Sequence, residues 1–389
     1  MSKLRTTFLL LMALIFVFSF AACTKKAEKK AEPIKIGAIL AETGPASFLG
    51  GPEARTLRML VDETNAAGGI LGRPVEMIIK DSQANPENAI SFAKQLIEED
   101  KVVAIIGPST SGETMKIKGL MEEAATPLVS CAAAEVIVDP VAKYVFKTPQ
   151  KDSFAVQMIY SKMKEMGIKK IGILTGNTGF GGAGKKQLED AAAEYGLEIA
   201  ISEVYDKKST DLTAEVTKVK AAGVDAVVNW SIVPAQAIVA KNMKQIGLDV
   251  PLFQSHGFGN IKYVEAAGVA AEGIIFPAGR LLIVDTLPED HSQKKVLSKY
   301  KADYEAKNPG EEASTFGGHA YDAFTILRAA ITKAGSTDKA AVRDAIESLK
   351  GLVGTGGVFS FSAEDHNGLA IDSFEMMTVK DGKFVALGQ

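Results

Sequence analysis

Residues 34–40 (IKIGAIL), 75–80 (VEMIIK) and 102–106 (VVAII) are short apolar runs, and helical patterns at 53–67 and 86–99 separate them. Each apolar run has the length of a buried strand, and each intervening segment carries apolar residues at helical spacing. Short buried strands that alternate with amphipathic helices are typical of βαβ units on a parallel sheet. The alternation therefore predicts an α/β fold.

A second series of the same kind starts after residues 144–147. Its predicted helices are 153–166, 185–195, 212–222 and 235–246, and its predicted strands are 170–174, 198–205, 226–229 and 252–254. From Ser292 onward the pattern changes to three helices without intervening strands (294–307, 317–334 and 339–349), followed by short strands at 358–360, 374–379 and 384–387. Those helices need an existing sheet to pack on, so we expect two α/β lobes and a chain that crosses between them more than once.

The N-terminus reads as an export signal with a lipid attachment site. Met1 to Ala22 has a basic start, an apolar run from Phe8 to Phe20 and a small-residue end. Residues 20–23 (FAAC) resemble the lipobox of bacterial lipoproteins, with Phe in place of the usual Leu, which predicts acylation of Cys23. The alternative is a plain secretory signal with an incidental cysteine. Residues 24–33 (TKKAEKKAEP) have the composition of a solvated tether, so we expect a periplasmic or extracytoplasmic, membrane-anchored lipoprotein.

Composition and charge narrow the class of protein further. The chain has 389 residues, which is too long for one core, and its 47% hydrophobic and 23% charged residues are typical of a globular protein. Loss of Lys3 and Arg5 with the leader lowers the formal net charge from -3 to -5, which argues against nucleic acid as a partner. With Cys23 acylated, Cys131 has no disulfide partner and is expected to be a buried thiol.

Loops rich in small and hydroxyl residues follow the predicted strands. The loop 107–112 (GPSTSG) places Ser109 and Ser111 where a helix begins. Free N–H groups, serine hydroxyls and the helix dipole at such a position suit a carboxylate. The alternative is that Ser111 only caps its own helix. In open α/β sheets ligands bind beyond the carboxyl ends of the strands, so the cleft between the lobes is the expected site.

Signs of enzymatic chemistry are weak. Residues 179–184 (GFGGAG) match the dinucleotide motif G-x-G-x-x-G, but Gly179 lies four residues after Thr175 and not in a tight turn at the strand end. Lys186 replaces the Ser or Thr that a P-loop would need. The four histidines are far apart in sequence and lack metal-ligand spacing. We therefore expect no enzyme, no catalytic residues, no cofactor and no metal, and interpret 179–184 as a loop that offers amides to the cleft.

Four segments carry a resemblance to a known family. They are KIGAILAETGP at 35–45, NAAGGILGRPVEMIIKDSQANPENA at 65–89, AIIGPSTSG at 104–112 and HAYDAFTILRAAI at 319–331. From Ile34 onward the chain resembles the leucine, isoleucine and valine binding proteins, the type I periplasmic receptors of ABC importers. The resemblance implies two Rossmann-like lobes with parallel sheets joined by three crossovers, a hinge that closes on a ligand, and a membrane permease as partner. It implies a first lobe of 34–149 plus 279–350 and a second lobe of 150–278 plus 351–389.

The resemblance also implies a set of ligand contacts, and the chain departs from that set in an informative way. Ser111 and Ala132 match residues that bind the α-carboxylate. Ala134 stands where amino-acid binders have Thr or Ser, and His256 where they have a Glu that pairs with the α-ammonium. The other expected contacts are Ser109, Leu49, Phe180 and Trp230, although Phe180 and Trp230 are about as often core residues.

Two partners for an α-ammonium are missing from this set, and a buried unpaired ammonium is costly. The expected ligand is therefore a small carboxylate without an α-ammonium, an aromatic or 2-oxo acid, with His256 as a donor. A loop histidine satisfied by backbone is the alternative for His256. Branched-chain amino acid binding and a ligand-sensing receptor module are the alternative functions.

Overall fold

The computed structural model of the protein describes residues 31–388, and the chain from Pro33 onward forms one compact unit. The predicted leader, the lipidation site Cys23 and nearly all of the predicted tether lie outside the described residues. None of the helices in the described part of the chain is long and apolar enough to cross a membrane.

The first lobe is built on a sheet of five parallel strands. They are β1 (Ile34–Leu40), β2 (Val75–Asp81), β3 (Ile105–Ile106), β4 (Leu128–Ser130) and β5 (Val145–Lys147), in the spatial order β2-β1-β3-β4-β5. β1 pairs with β2 over its whole length, from Ile34 opposite Val75 to Leu40 opposite Asp81. The predicted alternation of strands and helices is confirmed here, and the inner strands β1, β3 and β4 are mainly apolar because helices cover both faces of the sheet.

Helices cover both faces of this first sheet. They are α1 (Ser47–Ala66), α2 (Pro86–Glu98) and α3 (Ser111–Glu123), together with α9 (Lys294–Lys307), α10 (Thr315–Ala334) and α11 (Lys339–Glu347) from later in the chain. One core lies between the sheet and α1, α9, α10 and α11, and a second core lies between the sheet and α2 and α3. The strandless helices after Ser292 thus pack on a sheet that is already formed, as the sequence predicts.

The second lobe has a sheet of seven strands. They are β6 (Lys170–Gly176), β7 (Glu198–Tyr205), β8 (Ala226–Trp230), β9 (Leu252–Gln254), β10 (Ile275–Gly279), β13 (Phe374–Lys380) and β14 (Lys383–Ala386), in the order β14-β13-β10-β9-β8-β6-β7. Its helices are α4 (Asp152–Glu165), α5 (Gly179–Ala191), α6 (Thr213–Ala221), α7 (Ala235–Gln245) and α8 (Ile261–Ala267). β6 to β10 are parallel, but β13 pairs antiparallel with β10 and with β14, so this sheet is mixed at one edge.

The chain passes between the two sheets three times. The first passage follows β5 and the second follows β10. A small antiparallel pair, β11 (Leu352–Val353) with β12 (Val358–Phe359), precedes the third. Phe359, Phe361 and Leu369 pack in the core of the first lobe, whereas β13 belongs to the second sheet. The third passage therefore lies between Leu369 and Phe374, and residues 351–369 differ from the expected assignment to the second lobe.

The glycine-rich segment 179–184 is not a loop, as the sequence suggested, but the first turns of α5. The Thr178 side chain caps this helix by accepting from Gly181 N at 3.0 Å. A Cβ on Gly184 would lie 2.1 Å from Trp230 Nε1, and one on Gly179 would lie 2.6 Å from the backbone N of Gly112 in the first lobe. Close packing therefore accounts for these glycines without a bound nucleotide.

Candidate functional site

A small cavity, here called the inner cavity, lies between the lobes beyond the carboxyl ends of the strands. Its lining residues are Leu49, Ser109, Ser111, Cys131, Ala132, Ala133, Pro149, Phe316 and His319 from the first lobe, and Phe180, Ile232, His256 and Gly257 from the second. The cavity has a volume of about 20 Å³, which is room for about one water molecule. The lobes must therefore part for a larger ligand to bind.

Direct contacts hold the lobes together on either side of this cavity. Asn260 Nδ2 donates to the Phe48 carbonyl at 2.9 Å, and the rings of Phe48 and Tyr263 lie 5.3 Å apart. Thr315 Oγ1 donates to the Gly259 carbonyl at 3.0 Å. In this geometry the two lobes are closed on each other.

Ser111 is the clearest polar group in the cavity. It is the first residue of α3, but the capping side chain is that of Thr110, which accepts from Glu113 N at 3.5 Å. The alternative that Ser111 only caps its own helix is thus wrong. Ser111 Oγ instead accepts from Ala134 N at 3.2 Å, and the side chain is buried. Its hydroxyl proton remains available to a ligand carboxylate.

Ser109 also lines the cavity, but its hydroxyl bonds within the first lobe. Ser109 Oγ accepts from Ala41 N at 3.0 Å and donates to the carboxyl of Glu53. Glu53 is fully buried, and burial raises its pKa to about 8, opposed by the bond from Ser109 and assisted by the nearby Glu113. While Ser109 donates to Glu53 it has no second proton for a ligand.

The two predicted alanines differ in position. Ala132 lines the cavity, and its amide donates to Ser130 Oγ at 3.1 Å. Ala134 does not line the cavity. It packs in the core under α2 and α3, and its backbone N–H donates to Ser111 Oγ. Cys131 lies next to them as a free buried thiol whose pKa is raised well above its usual value by burial.

His256 stands at the second-lobe side of the cavity, surrounded by aromatic rings. Its ring lies 5.2 Å from that of Phe180, 5.5 Å from Trp230 and 5.4 Å from Phe374. Neither ring nitrogen has a hydrogen-bond partner among the described residues, so the backbone-satisfied alternative is not observed. Burial lowers the pKa of His256 well below its usual value, with Lys147 and His319 acting in the same direction. The ring is therefore neutral and offers one donor and one acceptor.

Of the predicted aromatic and apolar contacts, two line the inner cavity and the third packs behind them. Leu49 and Phe180 line the inner cavity. Trp230 does not; it is fully buried behind Phe180 with the two rings 5.6 Å apart. Its contribution is to support the ring that faces the cavity.

Sequence reasoning missed His319 and Phe316, which α10 brings to the same cavity. Burial, and then Lys147, lower the pKa of His319 to about 3, so this imidazole is also neutral. Its Nδ1 has no hydrogen-bond partner among the described residues. Two histidines that are far apart in sequence thus meet in one site, although residues 31–388 contain no group of three or more metal-ligating side chains that could hold an ion.

Lys147, at the end of β5, is a second group that the sequence did not single out. It is fully buried, and its Nζ donates to the carbonyls of Ala133, Pro149 and Gln150 at 2.7, 2.9 and 2.9 Å. Two of those three residues line the inner cavity, so the ammonium lies directly behind the cavity wall. Burial lowers the pKa of Lys147, while the nearby Asp152 raises it.

Asp152, at the start of α4, is the acidic group that raises the pKa of Lys147 most. Burial raises its pKa, and Lys147 opposes that rise. Its Oδ1 lies 3.7 Å from His256 Nε2 and has no hydrogen-bond partner among the described residues. Neither Asp nor Glu lines the inner cavity itself, and the positive charge of Lys147 reaches both imidazoles. A buried lysine and a buried aspartate thus lie close to this cavity, while its own lining carries serine hydroxyls and two neutral imidazoles.

Comparison with known proteins agrees with this architecture. Residues 33–383 match the family described as periplasmic binding protein. The leucine-, isoleucine-, valine-, threonine-, and alanine-binding protein of Pseudomonas aeruginosa is 26% identical over 323 residues, covering 82% of this chain and 83% of that protein.

Two solved structures are also similar to this chain. An extracellular ligand-binding receptor from Rhodopseudomonas palustris HaA2 is 29% identical, with a TM-score of 0.86 over 91% of this chain and 99% of that one. The branched-chain amino acid transporter substrate binding protein LivJ from Streptococcus pneumoniae, solved in complex with isoleucine, is 28% identical, with a TM-score of 0.80 over 91% of this chain and 98% of that one. The chain belongs to the periplasmic binding protein family.

Proposed function

We propose that this protein is the substrate-binding component of an ABC importer, and that its ligand is a small carboxylate without an α-ammonium, an aromatic or 2-oxo acid. The observation that carries this proposal is the lining of the inner cavity, which offers hydrogen-bond donors and no carboxylate. Lys147 lies behind its wall, two neutral imidazoles and the Ser111 hydroxyl face it, and no acidic side chain lines it. An α-ammonium would find no carboxylate in that lining.

The proposed mechanism is capture by domain closure. The carboxylate binds first to the Ser111 hydroxyl on the first lobe. The second lobe then brings His256 and Phe180 over it, as the closed geometry of the cavity supports. A ligand favours closure only to the extent that it contacts the closed form better than the open form.

A branched-chain amino acid is the second candidate. The relatives favour it, and so does one detail of the site. Asp152 Oδ1 is buried without a hydrogen bond beside His256, and it is the nearest carboxylate that could accept from an ammonium if the lobes shift. Because Lys147 already compensates this charge, we place the amino acid second.

Calorimetric titration with phenylpyruvate and phenylalanine tests the proposal, since the two ligands differ only in the oxo or ammonium group at the α-carbon. Benzoate and leucine extend the comparison to a smaller acid and to a branched-chain amino acid. We expect phenylpyruvate or benzoate to bind and the two amino acids not to bind. Tight leucine binding that weakens in Asp152→Asn would establish the second candidate instead.

Membrane anchoring at Cys23 and docking on a permease complete the proposal. An acylated Cys23 with several chains would keep the protein at the membrane. Labelling of expressing cells with radioactive palmitate should mark the wild-type protein and not Cys23→Ser, which should appear in the soluble fraction. A ligand-sensing module is the alternative to transport. A transport assay in a strain that lacks this protein separates the two, because only an importer component changes ligand uptake.

A further inference from the structure

Two of the four histidines have buried ring nitrogens without a hydrogen-bond partner among the described residues. They are His256, at both nitrogens, and His319, at Nδ1. His366 is buried as well, but its Nδ1 forms a hydrogen bond with the Val145 carbonyl at 2.9 Å and its Nε2 with Glu347 at 3.0 Å. Buried polar groups in proteins are nearly always paired, so a partner from outside the chain is expected at His256 and His319.

His319 is held at the inner cavity by the first lobe. It lies near the start of α10, is 7% exposed, and lines the cavity together with Ser111. Its carbonyl accepts from Thr148 Oγ1 at 3.0 Å, and the Gly318 carbonyl accepts from Thr355 Oγ1 at 2.8 Å. The backbone that carries the imidazole is therefore fixed before a ligand arrives, as a binding residue requires.

The first lobe has few side chains that could donate to a carboxylate. An ionised carboxylate accepts hydrogen bonds at two oxygens, whereas the Ser111 hydroxyl has one proton to give. Ser109 already donates to Glu53, and the thiol of Cys131 is a weak donor. Among the first-lobe side chains that line the inner cavity, the imidazole of His319 is therefore the strong donor that remains beside Ser111.

The proton of His319 is also free of competition from a carboxylate. No carboxylate of the described residues pairs with this ring, whose pKa is lowered by burial and then by Lys147. His256 differs, because Asp152 Oδ1 lies 3.7 Å from its Nε2 and attracts the proton of that ring. A neutral imidazole carries its proton on either nitrogen, so His319 can place it on the unpaired Nδ1 without becoming charged.

We propose that His319 is a second carboxylate-binding residue of the first lobe, whose Nδ1–H donates to the ligand carboxylate beside the Ser111 hydroxyl. The inference rests on the proposed function and adds a residue to its site. Two donors on one lobe would hold the carboxylate in the open form as well as in the closed form. An acid would thus be oriented on the first lobe before His256 closes over it.

Two other roles for His319 would leave it out of ligand binding. A water molecule could occupy the inner cavity and pair with the imidazoles, or the ring could serve only to pack near Phe316, whose ring centre is 6.3 Å away. In either case the residue would affect the stability of the fold and not the affinity for an acid. The test must therefore measure both quantities on the same variant.

The experiment uses His319→Leu, which removes the donor and keeps a buried apolar side chain. The probe is phenylpyruvate or benzoate, whichever binds wild type in calorimetric titration. We expect the dissociation constant to rise by about 10- to 150-fold, as for loss of a hydrogen bond to a charged group. The urea midpoint without ligand should not fall, because the variant replaces an unpaired buried polar group by an apolar one. His319→Asn, whose amide retains an N–H donor, should recover part of the affinity.

His366→Leu is the matched control, with the opposite expectation. It loses two hydrogen bonds of the fold, so its urea midpoint should fall while its dissociation constant stays that of wild type. Nitrogen NMR of wild type labelled with ¹⁵N-histidine gives a readout that does not depend on the folding of His319→Leu. Addition of the acid should shift the ring nitrogens of His319, which are identified by their absence in His319→Asn, and should not shift those of His366.

Two results would overturn the inference and leave the proposed function intact. One is an unchanged dissociation constant in His319→Leu, and the other is the absence of a shift at the His319 nitrogens when the acid binds. Failure of both acids to bind wild type would overturn the inference and the proposed function together.

Discussion

Removal of the Ser111 hydroxyl should weaken carboxylate binding without undoing the helix that begins there. The hydroxyl accepts from Ala134 N at 3.2 Å, which leaves its proton for the ligand. A hydrogen bond to a charged group contributes about 1.5–3 kcal/mol, so Ser111→Ala should raise the dissociation constant for phenylpyruvate by about 10- to 150-fold. The helix cap should survive, because Thr110 provides it.

Ser111→Ala should also destabilise the fold, and a matched variant separates the two effects. The Ala134 amide loses its acceptor, at a cost of about 1–3 kcal/mol in the free energy of unfolding. Ser130 holds the Ala132 amide at 3.1 Å in the same way but does not line the cavity. Urea denaturation should therefore show at least as large a loss for Ser130→Ala as for Ser111→Ala, because Ser130 Oγ also bonds Thr114 Oγ1 at 2.9 Å, while calorimetry should show weaker binding only for Ser111→Ala. Equal dissociation constants in the two variants would refute the assigned role of Ser111.

Three further predictions concern the buried carboxyl, the closed lobes and the packing of α5. Because the folded protein holds the proton of Glu53 more tightly than the unfolded chain does, the free energy of unfolding should fall as pH rises from about 4.5 to 8, by up to roughly 1.4 kcal/mol per pH unit, and less steeply in Glu53→Gln. Asn260→Asp removes one of the side-chain donors that join the lobes, so X-ray scattering without ligand should give a larger radius of gyration, and affinity should drop. Gly184→Ala, whose Cβ would meet Trp230, should lower stability by about 1–3 kcal/mol, whereas Gly182→Ala, with open space around it, should not.

The fold was predictable where local pattern and tertiary context agree. β7 begins and ends at the residues that the sequence predicts, because a strand of eight residues has a pattern long enough to identify locally. β10 was not predicted, and Pro277 within it argues against a central strand. The proline is accommodated because β10 pairs with β9 through a single residue pair. Most of the partners of β10 come from β13, far along the chain.

The glycine-rich start of α5 shows the opposite conflict. Six residues with four glycines have low helix propensity and suggest a loop. The helix forms nevertheless, and the Thr178 side chain caps its first turn. Trp230 and Gly112 approach this turn so closely that side chains larger than hydrogen would clash at Gly184 and Gly179. Such tertiary demands are invisible in a local window, so a motif that resembles a nucleotide loop is a packing solution here.

The site was predictable only in part, because its residues come from distant segments. Ser111, Leu49, Phe180 and His256 all line the inner cavity as the resemblance implies. His319 lies in a segment that carried the resemblance, yet nothing in the sequence states that α10 reaches the cleft. Lys147 had a signal that could have been used, since a lysine at the end of the apolar run 144–146 cannot reach water easily and must have a reason to be buried.

The contacts that close the lobes include the hydrogen bonds from Asn260 and Thr315, each worth about 1 kcal/mol net, and the ion pair between Lys262 and Glu311. A ligand changes the balance between open and closed forms only through contacts that one form makes and the other does not. A ligand that contacts only Ser111 would bind both forms equally and would shift nothing. One that also contacts His256 favours the closed form by the free energy of that second contact.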